Sequence, residues 1–154
     1  MKLFKLLIIG FLALNTACKE EEEPQGQMQG TIECNIDGQA WKATSTVAGQ
    51  QDFEKLTLLG FDGKGANIAL YIPNSKLKSG ETFELAATGK GIIASVTKFT
   101  KADGKDFYVN TGSINITNAD AAAMKVEGTF NFRSFEGGVT LNVTNGRFSV
   151  NYRQ

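Results

Sequence analysis

Apolar and polar residues alternate along most of the chain beyond residue 29. In the first such segment, the apolar residues Ile32, Cys34 and Ile36 alternate with polar neighbours. This two-residue period indicates a β-strand with one buried face, because successive side chains of a strand point to opposite sides. The same pattern recurs in segments separated by short turns: 40–44, 55–61, 66–72, 82–85, 91–99, 106–109, 113–117, 125–133, 139–144 and 147–152. The sequence therefore predicts an all-β fold, an antiparallel β-sandwich or barrel of about nine to ten strands.

Dipeptides of Asp or Asn followed by Gly mark several of the predicted turns. They occur at Asp37-Gly38, Asp62-Gly63, Asp103-Gly104 and Asn145-Gly146. Glycine accepts the left-handed backbone conformations that tight hairpins require, and Asp and Asn tolerate them. The run Ala121-Ala122-Ala123 predicts a single helical turn inside a hairpin loop. Because the sequence contains no internal repeat and no interdomain linker, residues 30–154 are expected to form a single all-β domain.

Four residues of the alternating segments are expected in or against the core. Cys34 is interpreted as a buried small apolar residue, and Phe130 and Phe132 share the buried face of one strand. Trp41, the one tryptophan of the chain, is expected to cap the core. The alternative for Trp41 is an exposed ring, since an apolar ring face pairs well with the C–H face of a sugar.

The first seventeen residues have the composition of a secretion signal. Lys2 and Lys5 precede a short apolar run, residues 6–14. A membrane-spanning helix needs about 20 apolar residues, so this run predicts a cleaved signal peptide, residues 1–17. Asn15-Thr16-Ala17-Cys18 resembles the lipobox of bacterial lipoproteins, in which the cysteine receives a diacylglyceryl group before cleavage. We therefore expect lipidation at Cys18; the alternative is ordinary cleavage near Ala17.

The residues that follow Cys18 are strongly acidic. Lys19 precedes four glutamates, Glu20, Glu21, Glu22 and Glu23. Consecutive like charges repel one another and hold water, so residues 18–29 are interpreted as a lipidated cysteine followed by a flexible tether. Cys18-Lys19-Glu20-Glu21 also resembles the export signal of surface-exposed lipoproteins of Bacteroidota. The expected location is the outer membrane with the domain at the cell surface; the periplasmic face is the alternative.

Charge narrows the range of partners. The chain has 16 basic and 16 acidic residues, and removal of the signal and tether leaves the domain near neutrality. Nucleic acid is therefore not an expected partner, because binding it requires a basic face. The expected partners are the membrane, through the lipid anchor, and a glycan or an envelope protein.

A family resemblance accompanies these features. Residues 36–43, Ile-Asp-Gly-Gln-Ala-Trp-Lys-Ala, are similar to the opening of a Bacteroidota surface lipoprotein family of unknown function. Residues 112–117, 126–132 and 143–148 resemble the closing hairpins of that family. The resemblance implies the β-fold and the envelope location, and it brings no catalytic residues.

The sequence contains few residues of the types that catalysis or metal binding usually requires. Histidine is absent, and Cys34 is the only cysteine beside Cys18. We predict no catalytic residues, no metal site and no cofactor. The predicted function is that of a lipid-anchored envelope protein with a non-enzymatic β binding domain. An immunity-like or accessory protein-interaction lipoprotein is the alternative.

Ligand contact is expected through loops and aromatic faces rather than through charge. The candidates are Phe107 and Tyr108, beside the Asp103-Gly104 turn, and Phe135, beside Gly137-Gly138. The alternative is that Phe107 and Phe135 belong to the edge of the core.

Overall fold

The computed structural model describes residues 30–44, 46–86 and 98–154. These residues form ten β-strands joined in one antiparallel sheet, and their only helical element is a short 3-10 turn, Asn74–Lys76. The all-β prediction is therefore confirmed. The predicted signal peptide, lipidation site and tether lie outside the described residues. Within the described ranges, no helix is long and apolar enough to cross a membrane.

The strands follow the chain with short connections. They are β1 Gly30–Ile36, β2 Gln39–Lys42, β3 Thr46–Gln51, β4 Lys55–Phe61, β5 Asn67–Pro73, β6 Thr82–Ala86, β7 Lys98–Thr100, β8 Asp106–Asp120, β9 Lys125–Glu136 and β10 Val139–Asn151. Their order in the sheet is β2-β1-β10-β9-β8-β7-β5-β4-β3, with β6 also paired to β8.

Strand β8 divides the sheet into two halves. Its first residues, 106–108, pair with β7, and residues 111–115 pair with β6. A register shift between Val109 and Thr111 separates the two pairings. An extra residue of this kind bends a strand and increases its twist. The result is a sandwich-like fold with a six-strand half, β2-β1-β10-β9-β8-β6, and a five-strand half, β8-β7-β5-β4-β3, that share β8.

The two halves pack face to face. The position that a Cβ would take on Gly60 of β4 lies 3.2 Å from the Cβ of Ile32 on β1. At the far edge, the N–H of Gln51 donates to the carbonyl of Arg153 at 2.8 Å, which joins β3 to the chain end beyond β10. The inward side chains of both halves therefore share one core.

The core consists mainly of the inward residues of the alternating segments. Cys34, Phe130 and Phe132 are buried, as predicted. Trp41 is half-buried and packs against the core, with its ring edge-to-face with Phe99 at a centroid distance of 6.3 Å. Its predicted place at the margin of the core is confirmed.

Three local predictions were wrong. Asn145-Gly146 is not a turn, because β10 runs through it with a bulge in which Asn145 has φ 53°. Ala121–Ala123 lies in a turn without helix. The predicted strands 106–109 and 113–117 are one continuous strand, β8.

The tight turns of four hairpins gather at one end of the molecule. The N–H of Asp37 in the β1–β2 turn donates to the carbonyl of Asn142 at 2.9 Å. A Cβ on Gly65, in the β4–β5 turn, would lie 3.3 Å from the carbonyl of Ala102 in the β7–β8 turn. A Cβ on Gly137, in the β9–β10 turn, would lie 3.7 Å from Lys105 Nζ. We call this the turn end; Gly30 lies at the opposite end of β1.

Candidate functional site

A cleft of about 560 Å³ opens at the turn end. One wall comes from the β1–β2 hairpin and the other from Ala66, Phe99 and the β7–β8 turn. Its apolar lining is Ile36, Ala40, Trp41, Ala66, Phe99 and Ala102, and its polar lining is Asp37, Gln39, Lys101 and Asp103. The volume falls in the range of small-molecule sites, about 300 to 1,000 Å³. We call it the end cleft.

The β1–β2 hairpin is built to hold one wall rigidly. Its two turn residues, Asp37 and Gly38, have φ of 48° and 82°. Positive φ at both central positions is the tight-hairpin geometry that Asp-Gly favours. Asp37 Oδ1 also accepts the N–H of Asn142 at 2.8 Å, which ties the turn to β10. The hairpin register pairs Trp41 with Cys34, and this fixes the indole at the edge of the core.

The indole of Trp41 brings an unmatched hydrogen-bond donor to this wall. Its Nε1 is buried and has no acceptor among the described residues. Buried tryptophan N–H groups usually find a partner, and leaving a buried donor unmatched costs about 1 to 3 kcal/mol. The wall of the end cleft is thus aromatic, and the buried indole N–H behind it has no acceptor in the described part of the chain.

The β7–β8 turn forms the rim of the opposite wall. Asp103 Oδ1 accepts the N–H of Lys105 at 3.0 Å, and the N–H of Lys101 donates to the carbonyl of Lys105 at 2.9 Å. Asp103 is thereby used to shape the turn, as Asp commonly is. The charged side chains that line the cleft are one cation, Lys101, and two carboxylates, Asp37 and Asp103, so the lining has a small formal negative charge.

Phe107 is not a surface residue, contrary to its candidacy as a ligand contact. Its side chain is fully buried, because odd-numbered positions at the start of β8 face the core. The ammonium groups of Lys101 and Lys105 lie over the ring, 4.7 and 5.2 Å from its centroid. The ring offers no surface to a ligand, and it belongs to the core, as the alternative interpretation held.

Tyr108 and Phe135 are exposed, at 45% and 58%. The hydroxyl of Tyr108 donates to Asp106 Oδ2 at 3.1 Å, on the outer face of the five-strand half. The backbone N–H of Phe135 on β9 donates to the side-chain oxygen of Asn110. No ring contact joins the two side chains in the described structure, and neither lines the end cleft. The three candidates therefore do not form one site.

An ion pair beside Tyr108 connects β7 and β8. Lys98 Nζ lies 2.7 Å from Asp106 Oδ2, and the hydroxyl of Thr100 donates to Asp106 Oδ1 at 2.6 Å. The bond from Lys98, followed by that from Thr100, holds the pKa of Asp106 below its usual value. The same bond raises the pKa of Lys98. Because the ammonium of Lys98 and the carboxylate of Asp106 are already paired with each other, we interpret this contact as structural. We call the group Lys98, Thr100 and Asp106, which holds β7 against β8, the clasp.

The thiol of Cys34 is unreactive at neutral pH. Burial, and secondarily the charge of Glu33, raises the pKa of its thiol to about 12. The thiolate is the reactive form of cysteine, so this side chain is neither a nucleophile nor a metal ligand at neutral pH. In the described part of the chain, no group of three His, Cys, Asp or Glu side chains is arranged to hold a metal ion.

Sequence reasoning missed the end cleft because its walls are far apart along the chain. The sequence indicates that Trp41 lies at the edge of the core, but nothing in it indicates that Phe99 and Lys101 lie opposite. That arrangement depends on the register of β7 against β5 and β8.

The comparisons with known proteins give a family and no function. The model of a family described as a domain of unknown function, DUF6252, matches residues 28–150. No curated protein and no solved structure matches the chain significantly. The matched range includes every residue of the end cleft and nearly all of the sheet. The chain therefore belongs to the DUF6252 family.

Proposed function

We propose that this protein is a lipid-anchored lipoprotein of the Bacteroidota outer membrane, exposed at the cell surface, whose β-domain binds a small ligand without transforming it. The anchoring part rests on the sequence: the short apolar run, Ala17-Cys18, and the acidic segment that begins at Lys19. The binding part rests on the end cleft.

The observation that carries the proposal is the position of the cleft relative to the start of the domain. The tether enters at Gly30, and the cleft begins at Ile36, the other end of the same strand. Six residue steps along a strand span about 20 Å. A domain held at Gly30 would thus direct its cleft away from the membrane, where a ligand from the surroundings can enter.

The side chains of the cleft suit binding better than catalysis. Asp37 and Asp103, its two carboxylates, accept backbone N–H groups that shape their turns. The chain contains no histidine that could act as a general base near neutral pH. Aromatic and aliphatic walls with a few polar groups are typical of recognition sites.

A protein-binding role is the second candidate, as an immunity-like or accessory lipoprotein. One observation favours it: two exposed large apolar side chains, Phe135 and Val139, flank the β9–β10 turn. Phe135 lies on the outer face of the hairpin and Val139 on the opposite face, so a partner that covers the tip of the hairpin would contact both.

The fluorescence of Trp41 tests the first proposal directly, because this is the only tryptophan in the chain. Purified full-length lipoprotein in detergent is titrated with monosaccharides, amino acids and nucleosides while the indole emission is followed. We expect a saturable change for one of these classes. Absence of any saturable change across the three classes would contradict the proposal.

A cleft-filling variant locates the response. Ala102 is exposed and lines the cleft, so Ala102→Phe should abolish the emission change without unfolding the domain. Ala121→Phe is the matched control, because Ala121 is exposed in the β8–β9 turn, away from the cleft. An unchanged titration in Ala102→Phe would show that the ligand binds elsewhere.

A further inference from the structure

A second depression, of about 400 Å³, lies on the outer face of the six-strand half. We call it the outer groove and define it by the polar side chains Glu84, Ser113, Asn131, Arg133, Asn142 and Thr144. It crosses four neighbouring strands, β6, β8, β9 and β10. No part of it belongs to the end cleft.

The sheet register arranges these side chains in two rows across the strands. Glu84, Ser113 and Asn131 form one row. Thr111, Arg133 and Asn142 form the next. Strands lie about 5 Å apart and alternate residues about 7 Å apart along a strand. The groove is therefore a flat array of hydrogen-bonding groups with spacings fixed by the sheet.

Among the residues that the structure describes, two charged side chains of the groove have no partner, whereas the neighbouring amide side chains do. Asn131 Nδ2 donates to the hydroxyl of Ser113 at 3.0 Å, and Asn142 Nδ2 donates to Asp37 Oδ1 at 3.4 Å. Across the described residues, neither Arg133 nor Glu84 makes a side-chain hydrogen bond or an ion pair. A guanidinium offers five donors and a carboxylate only acceptors, so the groove presents both kinds of group to a ligand.

An exposed aromatic ring continues the row of outward residues on β9. Asn131, Arg133 and Phe135 alternate with the buried Phe132 and Ser134, so the first three share the outer face. Phe135 lies one alternate position beyond Arg133, about 7 Å along the strand. An aromatic ring beside a flat polar array offers stacking on one side and hydrogen bonds on the other.

We propose that the outer groove binds a neutral saccharide chain, with the ring of Phe135 stacked on the C–H face of one sugar unit. The hydroxyls of the adjacent unit accept from Arg133 and donate to Glu84. A hydroxyl both donates and accepts, so it matches the mixed groups of the groove. The unpaired charges, one of each sign, give a polyanion no net attraction. This site is separate from the end cleft and does not depend on the ligand of that cleft.

The test uses full-length lipoprotein in detergent and insoluble neutral polysaccharides, namely glucans, mannans and galactans, with a uronic-acid polymer as the charged comparison. Binding is measured by depletion from solution for wild type, Phe135→Ala and Arg133→Ala. We expect the wild type to bind a neutral polymer and each variant to lose about tenfold in affinity. Binding should change little between 50 and 300 mM salt, since it does not rest on net charge.

Matched controls separate local from general effects. Tyr108→Ala removes an exposed ring from the other half of the sheet, and Arg147→Ala removes an exposed arginine outside the groove. Both should bind like wild type. Ala102→Phe should also leave polysaccharide binding intact, so that failure of the cleft proposal and failure of this one are distinguishable.

Three results would overturn the saccharide assignment. One is the absence of binding to every neutral polymer. Another is full binding by both Phe135→Ala and Arg133→Ala. The third is binding restricted to the uronic-acid polymer and lost at 300 mM salt. A protein partner that requires Phe135, found where no polysaccharide binds, would instead support the protein-interaction alternative.

Discussion

Glycine and phenylalanine residues interlock inside the six-strand half. A Cβ on Gly128 would lie 2.4 Å from Phe148 Cζ, and one on Gly146 would lie 2.6 Å from the ring of Phe130. Real Cβ atoms do not approach so closely, because interiors are already packed to the density of organic crystals. The rings of Phe130 and Phe148 therefore occupy space that these two glycines leave open.

Phe130 should be among the most important single side chains for stability. Its ring is buried and lies 6.3 Å from that of Phe132 and 6.4 Å from that of Phe148, between centroids. We expect Phe130→Ala to lower the free energy of unfolding by about 3 to 5 kcal/mol, through lost transfer energy and the remaining cavity. Urea denaturation measures this, with the exposed neighbour Thr129→Ala as control. A loss below about 1 kcal/mol would mean that the ring is not packed as described.

Cys34 should react only when the domain unfolds. Its thiol pKa is raised to about 12, so the folded protein holds it as the unreactive thiol at pH 8. In a Cys18→Ala background, where Cys34 is the only cysteine, we expect iodoacetamide to label native protein negligibly and urea-unfolded protein fully, with the Cys18→Ala/Cys34→Ala double variant unlabelled in both. Rapid labelling of native protein would contradict the burial of this side chain.

The raised pKa of Cys34 also has a consequence for stability at high pH. Above the ordinary thiol pKa, the unfolded state releases a proton that the folded state retains up to about pH 12. Stability therefore falls as pH rises through this window, because the unfolded state then binds fewer protons. Cys34→Ala should reduce this fall, which thermal unfolding between pH 8 and 11 can measure. Equal slopes for wild type and variant would contradict it.

At the scale of elements, the short strand β7 depends on a clasp. It has three residues, and Lys98 and Thr100 both bind the carboxylate of Asp106 on β8. The lowered pKa of Asp106 means that this contribution is present above the ordinary carboxyl pKa and is lost as pH falls through the lower folded value. We expect Asp106→Asn to unfold at a lower temperature than wild type at pH 7, with the difference shrinking as the pH falls below the ordinary carboxyl pKa.

A control for the clasp is available on the same strand. Tyr108→Phe removes only the weaker hydroxyl contact to Asp106 and should shift the melting temperature much less. A pH-independent difference between Asp106→Asn and wild type would mean that the carboxylate acts through packing rather than through its charge.

The sequence predicted most strands but not how they continue or where they meet. Alternation located β1, β4, β5, β9 and the two ends of β10, because each has one buried face. It missed β3, Thr46–Gln51, because apolar and polar residues do not alternate in this segment. Its strand conformation is seen only in its pairing with β4. The turn predicted at Asn145-Gly146 was wrong because Asn and Gly tolerate left-handed backbone conformations in both turns and bulges. The pairing of β10 with β9 on both sides of these residues shows that they form a bulge.

The functional surfaces were less predictable than the strands, for the same reason. Phe107 and Tyr108 are neighbours in sequence, yet one lies in the core and the other on the surface. A shift of one residue in register exchanges the two faces of a strand. The turn beside Phe135 makes it a candidate in the sequence, but only Asn131 and Arg133 of the outer groove share its strand, and the other polar side chains come from β6, β8 and β10.

At the scale of the whole molecule, the two proposed surfaces have different relations to the membrane. The end cleft lies at the turn end, opposite Gly30, and the outer groove lies along the side of the sheet. Between Cys18 and Gly30 the chain has eleven residues, which span at most about 40 Å when extended. If Cys18 is anchored, a tether extended to this reach would leave both surfaces free of the bilayer.

Anchoring and export can be separated by two changes in the same segment. Cys18→Ala should abolish incorporation of radiolabelled palmitate, because the predicted acceptor thiol is gone, while wild type is labelled. Replacing Lys19 to Glu23 with alanines should leave labelling intact but protect the domain from protease added to intact cells, because the predicted export signal is lost. Equal palmitate labelling of wild type and Cys18→Ala would rule out lipidation at this residue. If the wild-type domain resisted external protease in intact cells but was cleaved after cell lysis, the protein would be located on the periplasmic face. Its proposed saccharide and small-molecule ligands would then be restricted to those found in the periplasm.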